Sequence, residues 1–252
     1  MKKYISITFL ICALGLVYSC SKKWDLIDPA AKTDGLAFIK FVDASPNFRT
    51  VFKGADSFNV FVNGLKLNGA FLTYASVFPT ATNLYAGLPA GIQSIRIATN
   101  GKNTPDSITL ATITKTMVAG SYYSLFLTDS GLSTIEGKQM WLKDNFALTD
   151  TSHFTIRFVD AVLDDAGPVD VYSVNNGANI FTNISPGTAT PFISLPYNIV
   201  ADSLKIRSAG TQTPIATVIS GYTRSRAYTV LYRGSLIGTG TKARVATAFA
   251  ND

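Results

Sequence analysis

The chain has 252 residues, a formal net charge of +6, 47% hydrophobic residues, two cysteines and one histidine. So few His and Cys ligands exclude a zinc cage, which wants three or four of them. Basic residues are scattered, as at Lys53, Lys66, Lys102, Lys115, Arg207 and Arg224, with no dense block and no aromatic–basic motif, which excludes a nucleic-acid-binding domain.

Lys2 and Lys3 precede an apolar run over 5–18. The run is shorter than the about 20 residues of a membrane span, so 1–19 is predicted to be a secretory signal peptide. It ends in Leu16-Val17-Tyr18-Ser19-Cys20, which resembles the bacterial lipobox, with Tyr18 bulkier than that pattern usually holds. The resemblance implies cleavage before Cys20 and a diacylglycerol on its thiol. Cys12 leaves with the signal, so the folded part is expected to lack disulfides and to depend on a large core. No later apolar stretch is long enough to span, which leaves the lipid as the predicted membrane anchor. Residues 20–35 read as a lipid-anchored tether, reaching at most roughly 50 Å at about 3.3 Å per residue.

From Leu36 the pattern changes to short alternating runs of Val, Ile, Thr, Phe and Tyr, broken by Gly, Pro, Asn and Asp. This predicts an all-β fold, a sandwich or barrel. Strands are predicted over 36–43, 57–63, 65–71, 82–86, 92–99, 107–116 and 121–128. Asn63-Gly64 lies between two apolar runs and tolerates positive φ at both positions, which predicts a two-residue type I′ hairpin.

The plan then repeats. Ile39-Lys40-Phe41-Val42-Asp43-Ala44 returns as Ile156-Arg157-Phe158-Val159-Asp160-Ala161. Val60-Phe61 matches Val171-Tyr172, Asn63-Gly64 matches Asn176-Gly177, and Tyr123-Ser124-Leu125 matches Tyr228-Thr229-Val230. The offset between copies shrinks along the module, and the lost residues fall in predicted loops, which tolerate length change. Two tandem antiparallel β-sandwich domains are therefore expected, over 36–147 and 152–252. Strand parity sends Ile39, Phe41, Ile156 and Phe158 to the cores. Lys40, Arg157, Phe61, Tyr172, Arg96 and Lys205 then share the outer faces. That set suits cation–π ladders or a glycan or protein contact face, but reads first as a solvated face or the interface between the modules.

Candidate chemistry is sparse. Asp43 and Asp160 end equivalent strands and read as turn caps rather than catalytic or metal residues. His153 stands beside Ser152 with no G-x-S-x-G elbow and reads as a surface residue. Asp164, Asp165 and Asp170 lack the spacing of a calcium loop and read as a solvated acidic loop. A pair of carboxylates for glycoside hydrolysis is not singled out among the 16 acids. Tyr123 and Tyr228 suit the tyrosine corner of immunoglobulin-like sandwiches.

Phe41-Val42-Asp43-Ala44-Ser45-Pro46, then Phe58-Asn59-Val60-Phe61-Val62-Asn63-Gly64, then Gly120-Ser121-Tyr122-Tyr123-Ser124 resemble the exported modules of domain-of-unknown-function family 4397. The second copy keeps Val169-Asp170-Val171-Tyr172 but has Val162-Leu163 for Ser-Pro and Arg226-Ala227 before Tyr228 where the pattern has Gly. The resemblance implies an immunoglobulin-like sandwich in envelope or secreted proteins and implies no catalytic residue. The expected protein is a lipid-anchored envelope protein of a Gram-negative bacterium at the outer membrane, facing either the periplasm or the surface. It has a non-catalytic binding or structural role toward a partner protein or glycan, with no cofactor. The alternative is a carbohydrate-active enzyme or its accessory module. If one module carries a specific ligand site, it is expected where the copies differ, in the 45–57 and 163–168 loops.

Overall fold

The computed structural model describes residues 35–46, 48, 57–80, 84–99, 108–128, 139–148 and 151–252. The signal segment, the tether and Cys20 lie outside them. Residues Gly35–Asp252 form one compact unit.

The first half contains β1 (Leu36–Asp43), β2 (Ser57–Val62), β3 (Leu65–Lys66), β4 (Leu72–Thr73), β5 (Val77–Phe78), β6 (Ala86–Pro89), β7 (Gly91–Thr99), β8 (Thr109–Met117), β9 (Tyr122–Leu127) and β10 (Met140–Lys143). The second half contains β11 (His153–Asp160), β12 (Val169–Ser173), β13 (Ala178–Ile184), β14 (Ile193–Pro196), β15 (Asp202–Ser208), β16 (Pro214–Ser220), β17 (Ala227–Arg233) and β18 (Val245–Ala250). Each half is a sandwich of two sheets. The first pairs β10-β9-β1-β5, with β6 also on β1, against β3-β2-β7-β8, with β4 also on β2. The second pairs β14-β11-β17-β18 against β13-β12-β15-β16. Pairing is antiparallel except at β1–β9 and β11–β17, where the first strand of each sandwich runs parallel to a late one.

The strand reading misses β4, β5 and β10, which are too short to show a period. It also places a strand over 65–71 where the ladder ends at Lys66. Asn68 takes over from the backbone there: its Oδ1 accepts from Val60 N–H at 2.7 Å and its Nδ2 donates to the Phe58 carbonyl at 3.0 Å. Asn63 and Gly64 take φ of 50° and 83° as the hairpin requires. The matching Asn176-Gly177 does not form the same turn. Ser173 pairs with Ala178 across a longer loop in which Gly177 alone has positive φ, at 63°.

Parity fills two cores. Ile39, Phe41, Val60, Ile95, Ile97 and Leu125 meet in the first, and Ile156, Phe158, Val171, Leu204, Ile206 and Val230 in the second. A third cluster holds the alternate residues of the β1 and β11 sheets: Val42, Ala44 and Phe126 against Val159, Ala161, Leu231 and Phe249. The two sandwiches thus pack on equivalent sheet faces. Burying both faces removes apolar surface that each sandwich alone would leave in water, at about 25 cal/mol per Å².

Candidate functional site

The interface between the sandwiches collects the charged residues that parity sends outward. Lys40 faces Ser124 across the β1–β9 ladder, and Arg157 faces Thr229 across β11–β17, so the two cations are equivalent in register. Both are buried, at 0% and 2% exposure. Arg157 donates to Asp144 Oδ1 at 2.6 Å, to Ser124 Oγ at 3.2 Å and to Thr229 Oγ1 at 2.9 Å. Asp144 Oδ2 accepts from Ser124 at 2.6 Å and from Tyr85 at 2.7 Å. Asn251 bridges back, donating to the Tyr85 hydroxyl at 2.8 Å and accepting from Thr229 at 2.6 Å. Lys40 donates to the Ala250 carbonyl at 2.9 Å and lies 4.6 Å over the Tyr85 ring, while Arg157 lies 4.7 Å over Phe192. Burial lowers the Lys40 ammonium to about 8, with Asp144 pulling the other way and Arg157 adding to the fall. Burial and the Asp144 charge push the Tyr85 phenol well above its ordinary range. Every member is hydrogen-bonded, as a buried polar network must be to be tolerated. The arrangement is a joint.

The remaining outward residues sit on the other pair of sheets, so the single predicted outer set divides in two. Phe61 is not solvated: it is 1% exposed, with the Arg96 guanidinium 4.0 Å from its ring. In the second copy Arg207, not the predicted Lys205, covers Tyr172 at 4.0 Å. Lys205 is the direct cross-strand partner of Tyr172, yet the diagonal neighbour makes the contact.

Asp43 and Asp160 are turn caps. Asp43 Oδ1 accepts from Ser45 N–H at 3.2 Å, and Asp160 Oδ1 from Val162 N–H at 3.0 Å. Burial pushes the Asp160 carboxyl up to about 8, and its Oδ2 has no partner among the described residues. The tyrosine corners form in both copies: Tyr123 accepts from Val118 N–H at 3.1 Å and Tyr228 from Thr223 N–H at 2.8 Å. His153 is half-buried at the start of β11, its Nδ1 2.9 Å from Ser152 Oγ. It walls a cleft of about 240 Å³ with Asn145, Phe154, Phe192 and Ser225, and no carboxylate lines that cleft among the described residues.

The acidic loop is not simply solvated. Asp164 accepts from Ser235 at 2.6 Å and from Leu236 N–H at 3.0 Å. Asp165 takes Tyr232 at 3.0 Å and Arg244 at 2.7 Å. Asp170 is buried and takes Asn183 N–H at 2.8 Å and Gly210 N–H at 3.0 Å. The three point to different partners, and no group of His, Cys, Asp and Glu fit to hold a metal occurs among the described residues.

A hollow of about 630 Å³ opens at one end of the seam between the sandwiches. Tyr74 and Ala75 of the first sandwich form one wall, and Arg233, Thr241, Ala243 and Arg244 of the second form the other. Arg233 lies 4.9 Å over the Tyr74 ring. None of these residues stands out in the sequence: Arg233 ends a strand whose other members are core, and Tyr74 lies in a short turn. Only the pairing of the two copies brings them together.

No family model matches the chain, and no curated protein matches it. Among solved structures it is similar to a protein of Bacteroides fragilis provisionally described as a cell adhesion protein, at 12% identity and a TM-score of 0.20, over 86% of this chain and 97% of that one.

Proposed function

We propose that the protein is anchored in a Gram-negative cell envelope through a lipid on Cys20, and that its two sandwiches are a rigid, non-catalytic platform for binding a partner protein or glycan. One observation supports binding over hydrolysis: each aspartate among the described residues is tied into the fold. Asp43, Asp160, Asp170 and Asp252 accept from backbone N–H groups. Asp144, Asp164, Asp165 and Asp202 accept from neighbouring side chains. A glycosidase needs two carboxyls placed across an open cleft with one free to give or take a proton. Here the face between the sandwiches, where such a cleft would lie, is closed by packing and by the Arg157–Asp144 pair.

The anchor is tested by metabolic labelling with a fatty acid. Label is expected in the wild type and absent from Cys20→Ala; label retained by the variant refutes the anchor. The platform is tested by cross-linking in intact envelopes, which should capture the same partner in wild type and in a Ser152→Ala, His153→Ala variant. Incubation with envelope polysaccharides should leave them intact, and release of reducing ends would favour the hydrolase.

A further inference from the structure

We propose that the hollow at the seam is a binding site for a small ligand bearing a single carboxylate. The proposal deepens the binding role above and rests on it; the lipid anchor is independent of it.

The hollow has the size of a small-molecule site, which typically runs about 300–1,000 Å³. Its two walls are held in shape from behind. In the first sandwich, Ser76 Oγ accepts from Thr73 N–H at 2.8 Å and donates to the Thr73 carbonyl at 2.7 Å. Ala75 N–H donates to the Asp43 carbonyl at 2.8 Å, which holds Ala75 at φ 70°, a conformation an alanine rarely takes. In the second sandwich, Asp164 binds Ser235 and Leu236, and Ser235 N–H donates to the Lys242 carbonyl at 3.0 Å. Gly234 and Gly238 pack so closely that a Cβ on either would collide with backbone of residues 242–244.

Between these walls two polar groups are left without protein partners. Arg233 is 9% exposed, and its Nε has no hydrogen-bond partner among the described residues; nor has the Tyr74 hydroxyl. Leaving such groups buried and unpaired costs about 1–3 kcal/mol each, more where the group is charged, and a ligand that draws the two side chains round toward the hollow recovers part of that. The charge count selects the ligand. Arg244 lines the same hollow but is engaged by Asp165 at 2.7 Å. Among the described residues Arg233 lies over the Tyr74 ring and has no carboxylate paired with it. One uncompensated guanidinium next to a phenol donor matches a planar monoanion, which the guanidinium fork can hold with two parallel bonds. A phosphate dianion would need a second free cation.

Small monocarboxylates come as acidic sugars or as peptide C-termini, and the test separates them. The chain carrying Cys20→Ala is titrated, with NMR shift and calorimetric readouts, with D-galacturonate, with acetyl-trialanine, and with the neutral methyl galactoside and the amidated tripeptide. Inorganic phosphate is a further arm. One acid is expected to saturate, with the Ala75 and Thr241 amides shifting, while its neutral counterpart binds at least tenfold more weakly. Arg233→Gln should weaken that acid at least tenfold and Tyr74→Phe about threefold, each with an unchanged thermal midpoint. If Arg233→Gln fails to fold, Tyr74→Phe carries the test alone. The proposal is overturned if neither acid binds better than its neutral form, if phosphate binds best, or if the folded variants bind as the wild type does. A partner captured from envelopes in spite of such a result would leave the platform standing and remove only this site.

Discussion

Lys40 and Arg157 hold the same register position in two copies of one sandwich, and one interface buries both, yet they are held differently: Arg157 donates to Asp144 at 2.6 Å, and Lys40 donates to the Ala250 carbonyl at 2.9 Å. Packing two copies on equivalent faces brings like charges together at the joint. Here the difference lies one residue beyond the last strand of each half. Lys143 pairs with Tyr123, and Ala250 with Tyr228, so Asp144 and Asn251 are equivalent. The first copy contributes the anion at that place and the second a neutral bridge. A duplicated fold can therefore be joined through a charged face when the copies diverge at one position.

Breaking the comparison should give the largest effect. Arg157→Met leaves Asp144 buried without its cation and is expected to cost about 3–5 kcal/mol, read as a lowered denaturant midpoint with cooperative loss of both sandwiches. Lys40→Met removes a cation that burial already disfavours, so it should cost less than half as much at pH 7. The two also differ in pH dependence. Folded Lys40 gives up its proton near 8, before the unfolded chain does at its ordinary 10.5. The unfolded state then binds more protons, and wild-type stability should rise between about pH 8 and pH 10.5. A Lys40→Met protein that keeps this rise would show that another group causes it.

The caps offer the next comparison. Asp160 and Asp43 make the same turn, and folded Asp160 keeps its proton to about 8 against an ordinary 3.8. Between those values the folded state binds more protons than the unfolded one, so stability should fall as pH rises through that window. Asp160→Asn keeps the acceptor for Val162 N–H and cannot ionise. It should match the wild type near pH 4 and gain on it toward pH 8, by on the order of 1–3 kcal/mol. Parallel unfolding curves across that range would remove the ionisation from the account. At the tyrosine corners the copies should behave alike: Tyr123→Phe and Tyr228→Phe each leave one backbone N–H unpaired, at about 1–2 kcal/mol.

Much of this was legible in local sequence, because strands, caps and corners are set by neighbours. The period of Ile39 and Phe41, the aspartate before each turn and the tyrosine opening each late strand all serve contacts within one sheet or one corner. What the sequence hid is the set of partners across the joint. Lys40 and Arg157 read as outward, and so they are for each sandwich alone, but the second sheet face that covers them is far along the chain. The Tyr74–Arg233 pair is hidden for the same reason. Lys205 is the residue that the repeat aligns with Arg96, and it is the direct cross-strand partner of Tyr172, but Arg207 reaches the ring diagonally. Asp170 read as part of a solvated loop because the chain segments it binds, at Asn183 and Gly210, are distant in sequence.

The smallest expected effect tests how far matching letters imply matching structure. Asn63-Gly64 and Asn176-Gly177 are the same dipeptide at the same place in each copy. Asn63 takes φ 50°, its Oδ1 accepts from Ser94 N–H at 2.9 Å, and its Nδ2 donates to Gln93 at 2.8 Å. Asn176 is spared the left-handed conformation, because its longer loop turns on Gly177 and is tied down by Asn175 N–H on Asp202 at 3.0 Å and by Asn176 N–H on Ser173 Oγ at 3.1 Å. Those two bonds use the backbone N–H groups of Asn175 and Asn176, which any residue other than proline supplies. Asn63→Ala should therefore cost about 1 kcal/mol or somewhat more through left-handed strain and lost hydrogen bonds. Asn176→Ala should stay within about 0.5 kcal/mol of the wild type, as surface changes away from such features do. Equal losses at the two sites, measured by urea midpoint, would mean that both hairpins depend on the asparagine and that the longer second loop has not relieved it.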